Sequence, residues 1–468
     1  MYTNLLRLCA FEKDEIERER PRIDRAFKQL GIGAEDIEGA ERRLRRAFDM
    51  ELEGLRRGWG IMMKEMFDWT LAKDEGKTVI YGGYPPMPEI FQPVMCASDN
   101  LYAGTPENPV MTVMGLFDKF IPLLEAAEEN GMAAGQAQCT IMKGKLGAML
   151  KGIIPPPDIL CSWVTYGCDQ SPRTDELLHR LFGSPTIFVD SICDQNWGDY
   201  PNVKQRRIQH MGAGIDRLWK EVEKTCGCQI TEKCHDVGTR ERHEVLDSFL
   251  ALIDFNARCD PPPLSWGGLT LFHSFSVCGT LRKYTQEVRR AMTVLLDEAK
   301  RKYDQDRGIA KKSTAKVLWF APSTGGVVRM MERLGVTIIP CASFYEAQLQ
   351  RREDLKSTTH ADRIAEGWLS HGPGFGSEAF IDYFKESCKS FDVDGFVYAY
   401  LYFCRPLSIC AHMATKVIED ELNIPVLSIE WDPMDKREYG IKQLATRLET
   451  FAELVKARKE SRASSQLP

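Results

Sequence analysis

Three cysteines stand where a parallel α/β protein would place thiolate chemistry. Cys168 follows the apolar run Ile159–Val164 in TYGCDQSPRT, Cys404 ends the run Gly395–Phe403 in YFCRP, and Cys139 opens the helical segment CTIMKGKLGAML. In open parallel sheets ligands sit beyond the carboxyl ends of the strands, so residues just after a strand carry functional weight. A thiolate is stabilised at a helix N-terminus or by a metal. Three thiolates converging from separate elements, with no fourth nearby, suit an iron–sulfur cluster with one iron open to water or substrate. Taken singly, a free cysteine is more often a buried core residue, and these three are too widely separated to form a compact cluster motif.

Such a site needs strands and helices in alternation. TVIYGG (Thr78–Gly83) reads as a strand running into the proline-punctuated loop YPPMPE. A helix is expected over Met114–Glu129, a buried strand over Asp158–Val164, a helix over Thr174–Gly183 with glycine at its stop, and a strand over Pro185–Asp190. Strand, helix, strand implies parallel pairing through a right-handed crossover. A second series follows the linker CDPPPLSWGG: strand Lys316–Pro322, helix Val327–Gly335, strand Val336–Pro340, helix Phe380–Cys388, strand Gly395–Phe403, helix Leu407–Asn423, strand Ile424–Asp432 and a closing helix from Gly440. The expected fold is α/β, with two parallel-sheet lobes of Rossmann or flavodoxin-like type and a helical N-terminal extension read as a solvated arm. The expected boundaries are 1–76 for the extension, 77–260 for the first lobe with a helical insert, 261–310 for a helical connector, and 311–468 for the second lobe. The tail SRASSQLP is expected to fray.

The 468 residues carry 61 Lys+Arg against 67 Asp+Glu, a net charge of −6, and 43% hydrophobic residues. That balance, without a basic cluster, excludes wholesale nucleic-acid binding. No uncharged apolar run is long enough to span a bilayer, and MYTNLLRLCAFEKDE is too short in apolar residues for a signal peptide. A cytoplasmic protein is expected, its 15 cysteines mostly reduced thiols.

The segments GGYPPMPEI (Gly82–Ile90), CTIMKGKLGAM from Cys139, PPPDILCSWVTYGCD (Pro155–Asp169), DGFVYAYLYFCRP (Asp394–Pro406) and IPVLSIEWDPMD with LATRLETFAE (Ile424–Glu453) resemble the 2-hydroxyacyl-CoA dehydratase and benzoyl-CoA reductase family. The likeness runs from about Thr78 to Leu454. It implies a 4Fe–4S cluster held by Cys139, Cys168 and Cys404 with one open iron. Cys161 competes with Cys168 for the second place, and its strand-core position argues against it. The family's loop glutamate falls on Glu89, with Tyr84 and Tyr81 nearby, implying a proton acceptor or substrate anchor.

The implied chemistry is coherent. Dehydrating a 2-hydroxyacyl thioester requires loss of a β-proton too weakly acidic for an ordinary base. One electron on the thioester carbonyl gives a ketyl radical anion, which expels the hydroxyl and acidifies that proton, while the open iron acts as Lewis acid. No G-x-x-x-x-G-K-[ST] sequence occurs, so the resemblance implies a separate ATP-hydrolysing iron–sulfur activator, and also a homologous second subunit. Length and the segment WDPMD favour the larger, alpha-type subunit. Benzoyl-CoA reduction is the nearest alternative, and a two-lobed small-molecule binder without a cluster is an alternative of another class.

Other features have plain readings. STGG (Ser323–Gly326) suits a helix-entry turn better than a phosphate cradle. HGPGFG (His371–Gly376) reads as a loop. Cys226, Cys228, Cys234 and His235 lack the paired C-x-x-C spacing of zinc sites. His412 sits on the helix after Cys404, where helix packing explains it as well as approach to a cluster.

Overall fold

The computed structural model describes residues 2–84, 86–133, 138–164, 168–192, 195–311, 314–320, 324–341, 355–370, 376–437 and 440–465. Eight strands, β1 (Thr78–Gly82), β2 (Leu101–Gly104), β3 (Ile159–Val164), β4 (Thr186–Asp190), β5 (Ala315–Phe320), β6 (Val336–Pro340), β7 (Gly395–Tyr400) and β8 (Val426–Glu430), form two four-stranded, all-parallel sheets. The spatial order is β2-β1-β3-β4 in one and β6-β5-β7-β8 in the other. Both orders reverse direction between their first and third strands, the place where parallel sheets open a crevice at the strands' carboxyl ends.

β-Branched and aromatic residues explain the central strands. In β7 the alternate residues Phe396 and Tyr398 enter a core with Leu318, Phe380 and Phe384, while Val397 and Ala399 face the larger core on the other side. A strand buried on both faces must be apolar throughout, which is why GFVYAY carries no charge.

The N-terminal helices are not a solvated arm. Helix Glu53–Leu71 buries Trp59, Met62, Met66, Phe67 and Trp69 in the main core, packed between helices Glu107–Leu116 and Thr285–Asp304. Its interior holds two carboxylates. Asp68 is met by Arg22 at 2.7 Å, the Tyr284 hydroxyl at 2.6 Å and Lys283 at 2.7 Å. Glu65 accepts from the Thr280 hydroxyl and the Leu281 N–H, both at 2.9 Å. Burial outweighs those bonds and pushes the Glu65 carboxyl from 4.5 up to about 7. The folded value exceeds the unfolded one, so this residue makes the fold lose stability as pH rises from 4.5 through 7, by about 3 kcal/mol in all. Urea unfolding of Glu65→Gln against the parent is expected to show that loss between pH 5 and 8 only in the parent.

Three further expectations are corrected. The helix drawn over Met114–Glu129 is two, Glu107–Leu116 and Ile121–Glu129, broken where Asp118 takes a positive φ of 60°. The segment after Met87 is not a loop but helix Pro88–Ala97, with Pro88 in its first turn, and β2 follows it. Of the tail, Ser461–Ser465 continue the last helix, Ile441–Ser465, and residues 466–468 lie outside the described residues. Residues 371–375 of HGPGFG and Ser323 of STGG lie outside the described residues, while the Thr324 hydroxyl caps helix Gly325–Arg333 through the Val327 N–H at 3.3 Å. No helix among the described residues is long and apolar enough to cross a membrane.

Candidate functional site

Each of the three cysteines sits at the start of a helix. Cys139 is the N-cap of Thr140–Leu150, Cys404 the N-cap of Arg405–Leu422, and Cys168 immediately precedes Asp169, the N-cap of Gln170–Phe182. Cys168 follows β3 and Cys404 follows β7, the third strand of each series, so the two lobes present thiols from corresponding places. Every sulfur is met by amide N–H groups of its helix's first turn: Met142 and Ile141 for Cys139, Ser171 (3.4 Å) and Gln170 for Cys168, and Leu407 for Cys404. First-turn amides have no partner within the helix, which leaves them free for these contacts.

The three thiols sense one another. Burial is the main cause that raises Cys139 well above the ordinary thiol value, and the charges of Cys168 and Cys404 add to it. Burial pushes Cys168 up to about 11, with Cys404 adding to the rise, and burial also raises Cys404. Three anionic sulfurs would therefore gather here only around positive charge. The donor set fits a cationic iron–sulfur core, whose thiolates commonly accept N–H bonds. Among the described residues, no three His, Cys, Asp or Glu side chains gather closely enough to ligate one metal ion. A polynuclear cluster attaches each thiolate to a different iron and so spreads its sulfurs wider.

Several contacts between the lobes fall at the same junction. Arg405, next to Cys404, pairs with Asp169, next to Cys168. The turn after β8 brings Asp432 beside Thr140, the residue after Cys139. Arg437 pairs with Glu128 at 2.7 Å, and Glu128 with the buried Lys143 at 3.1 Å. Helix Thr140–Leu150 owes its position to close backbone packing, since a Cβ on Gly147 would stand 1.9 Å from the Leu123 carbonyl oxygen.

A buried polar network joins the helices that begin at Cys139 and Cys168. Lys145, fully buried, reaches Glu107 at 2.8 Å, Asp175 at 3.5 Å and the Gly82 carbonyl at 3.1 Å. The Ser171 hydroxyl donates to Asp175 at 3.4 Å and accepts the Tyr84 N–H at 2.7 Å. Ser171 thus links the Tyr84 backbone to Cys168. None of Lys145, Glu107, Asp175 and Ser171 stood out in the sequence; the only local signal was a polar residue three positions after Cys168.

Glu89 lies in the first turn of helix Pro88–Ala97 and accepts from Arg242 at 2.8 Å, whose side chain is 3% exposed against 29% for Glu89. Glu89→Ala leaves that guanidinium buried without its carboxylate and is expected to lower stability by about 2 kcal/mol, with Glu89→Gln costing less than half of that, read from urea midpoints. Cys161 lies within β3, fully buried, and its charged neighbours are Asp175 and Lys145. His412 points to solvent. Cys226 ends one helix, Cys234 and His235 begin the next, and the His235 ring stacks on His360 at 4.6 Å.

Residues 104–455 match the profile of the 2-hydroxyglutaryl-CoA dehydratase D-component family. The chain is 22% identical over 357 residues to the (R)-phenyllactyl-CoA dehydratase alpha subunit of Clostridium sporogenes, covering 72% of this chain and 81% of that one. It is 21% identical over 399 residues to the (R)-2-hydroxyisocaproyl-CoA dehydratase alpha subunit of Clostridioides difficile, covering 83% and 93% respectively. With three quarters of its length matched by the profile, the chain belongs to the 2-hydroxyglutaryl-CoA dehydratase D-component family, whose members are components of multi-subunit acyl-CoA dehydratases.

Proposed function

We propose that this chain is the iron–sulfur subunit of an activator-dependent, oxygen-sensitive 2-hydroxyacyl-CoA dehydratase, with Cys139, Cys168 and Cys404 holding a 4Fe–4S cluster. The observation that carries the reading is the grouping at one junction of three thiols from both lobes, each at the start of a helix. When bound, the cluster supplies one electron to the thioester carbonyl and a Lewis-acidic iron beside it. The first-turn amides of three helices hold the thiolates by N–H bonds and by the positive ends of the helix dipoles. The Arg405–Asp169 pair keeps Cys404 and Cys168 facing each other. Tyr84, whose backbone N–H is held by Ser171, contacts the substrate, and Glu89, oriented by Arg242, takes the substrate proton or anchors the substrate. A homologous second subunit completes the enzyme, and a separate ATP-hydrolysing iron–sulfur activator delivers the electron in the cytoplasm.

The test is an anaerobic assay of the chain with its partner subunit, activator and ATP. A 2-hydroxyacyl-CoA thioester should lose water only when all components are present. Reduction of benzoyl-CoA without dehydration would move the chain to ring reduction, and turnover of neither would overturn the reading.

A further inference from the structure

Helices Pro88–Ala97 and Glu232–Arg258 run antiparallel and touch along three successive turns. At one end Arg242 holds Glu89. One turn along, a Cβ on Gly238 would stand 2.8 Å from the Pro93 nitrogen and 3.0 Å from the Gln92 carbonyl carbon, so only glycine admits so close an approach. A further turn brings Cys234 within hydrogen-bonding reach of Cys96. Positions 242, 238 and 234 thus oppose 89, 92–93 and 96, the three- and four-residue spacing of one helix face on each side. Both cysteines are free, Cys96 half-buried and Cys234 buried.

The two thiols are unequal. Cys234 lies in the first turn of its helix, which Thr231 caps, and the Thr231 hydroxyl donates to its sulfur at 3.3 Å. Burial disfavours its thiolate, but the Thr231 hydroxyl and backbone, the Cys96 thiol and the charge of Arg282 together hold Cys234 below the ordinary thiol value. Burial raises Cys96, with Cys234 adding to the effect. A more acidic thiol beside a less acidic one is the arrangement of an attacking and a resolving cysteine.

We propose that Cys96 and Cys234 form an oxidation site that closes reversibly to a disulfide on meeting a low-molecular-weight disulfide, stapling the helix that carries Glu89. The Cys234 thiolate attacks one sulfur of the small disulfide, forming a mixed disulfide and expelling the other half as a thiolate. That thiolate takes the Cys96 proton. Cys96 then attacks the Cys234 sulfur and expels the second half, so two cysteines are oxidised while one small disulfide is reduced to two thiols. The site stands on this helix pair alone and is independent of any cluster at the lobe junction.

The intact chain, kept reduced and anaerobic, is treated with oxidised glutathione, alkylated, digested and mapped by mass spectrometry. Expected is a peptide pair joined at Cys96 and Cys234, the loss of those two alkylatable thiols, their return with dithiothreitol, and slower amide exchange across residues 88–97 in the oxidised form. Cys96→Ser should stop the reaction at a glutathione adduct on Cys234, whereas Cys234→Ser should leave Cys96 unmodified. Full alkylation of both cysteines in the oxidised parent, or a link from Cys234 to Cys226 or Cys228 instead, would overturn the proposal. The parent protein alone decides between these results, so a variant that fails to fold leaves the test intact.

Discussion

Replacing Lys145 with methionine is expected to destabilise the chain by about 3–5 kcal/mol, because it removes the cation that pairs with two buried carboxylates. Methionine matches the stem in length and bulk, so the change isolates charge from packing. Lys145 has no exposed surface, and it holds Glu107 at 2.8 Å, Asp175 at 3.5 Å and the Gly82 carbonyl at 3.1 Å. Burial already lifts the Asp175 carboxyl, and Lys145 is the first influence opposing that rise. Without the ammonium both acids must take up protons or let water in. The urea midpoint should fall with little change in slope, since the surface exposed on unfolding is unchanged. Lys13→Met, at an exposed pair with Glu17, should leave the midpoint where it is. A midpoint for Lys145→Met equal to the parent's would show that the network does not hold the two helices together.

If Cys404 holds the cluster as proposed, its replacement by alanine is expected to lower bound iron at least about tenfold, the low end of what loss of an outer-shell partner costs in metal affinity. Cys139→Ala and Cys168→Ala should act alike, since the three sulfurs share one junction. Cys388 provides the control. It is buried in the second-lobe core on helix Ser377–Ser390, and Cys388→Ala should cost packing but leave iron unchanged. Equal iron in the Cys404 and Cys388 variants, measured on anaerobically prepared protein, would contradict the ligand assignment.

The parallel sheets and the positions of the three thiols were legible because they rest on local patterns. GFVYAY is apolar throughout, as a strand covered on both faces must be, and Gly183 takes a positive φ at a helix stop as its type suggests. Helix Pro88–Ala97 was not legible: Pro88 read as loop punctuation, yet proline is tolerated in a first turn, and helix Glu232–Arg258 packs against the rest. β2 has four residues, too few for alternation to register. The burial of Glu53–Leu71 is a tertiary fact, since charges within it are matched by Arg22, Thr280 and Tyr284 from distant segments. For the same reason Lys145, Glu107 and Asp175 were invisible: nothing in their own neighbourhoods announces the pairing. Arg437 likewise gains meaning only when the turn after β8 reaches Glu128.

The most direct measurement is iron and acid-labile sulfide in the parent chain, purified without oxygen and examined by paramagnetic resonance. Occupation of the lobe junction by one cluster predicts about four irons and four sulfides per chain, and a resonance that Cys404→Ala abolishes. Protein that is folded, anaerobically prepared and essentially free of both elements would contradict it.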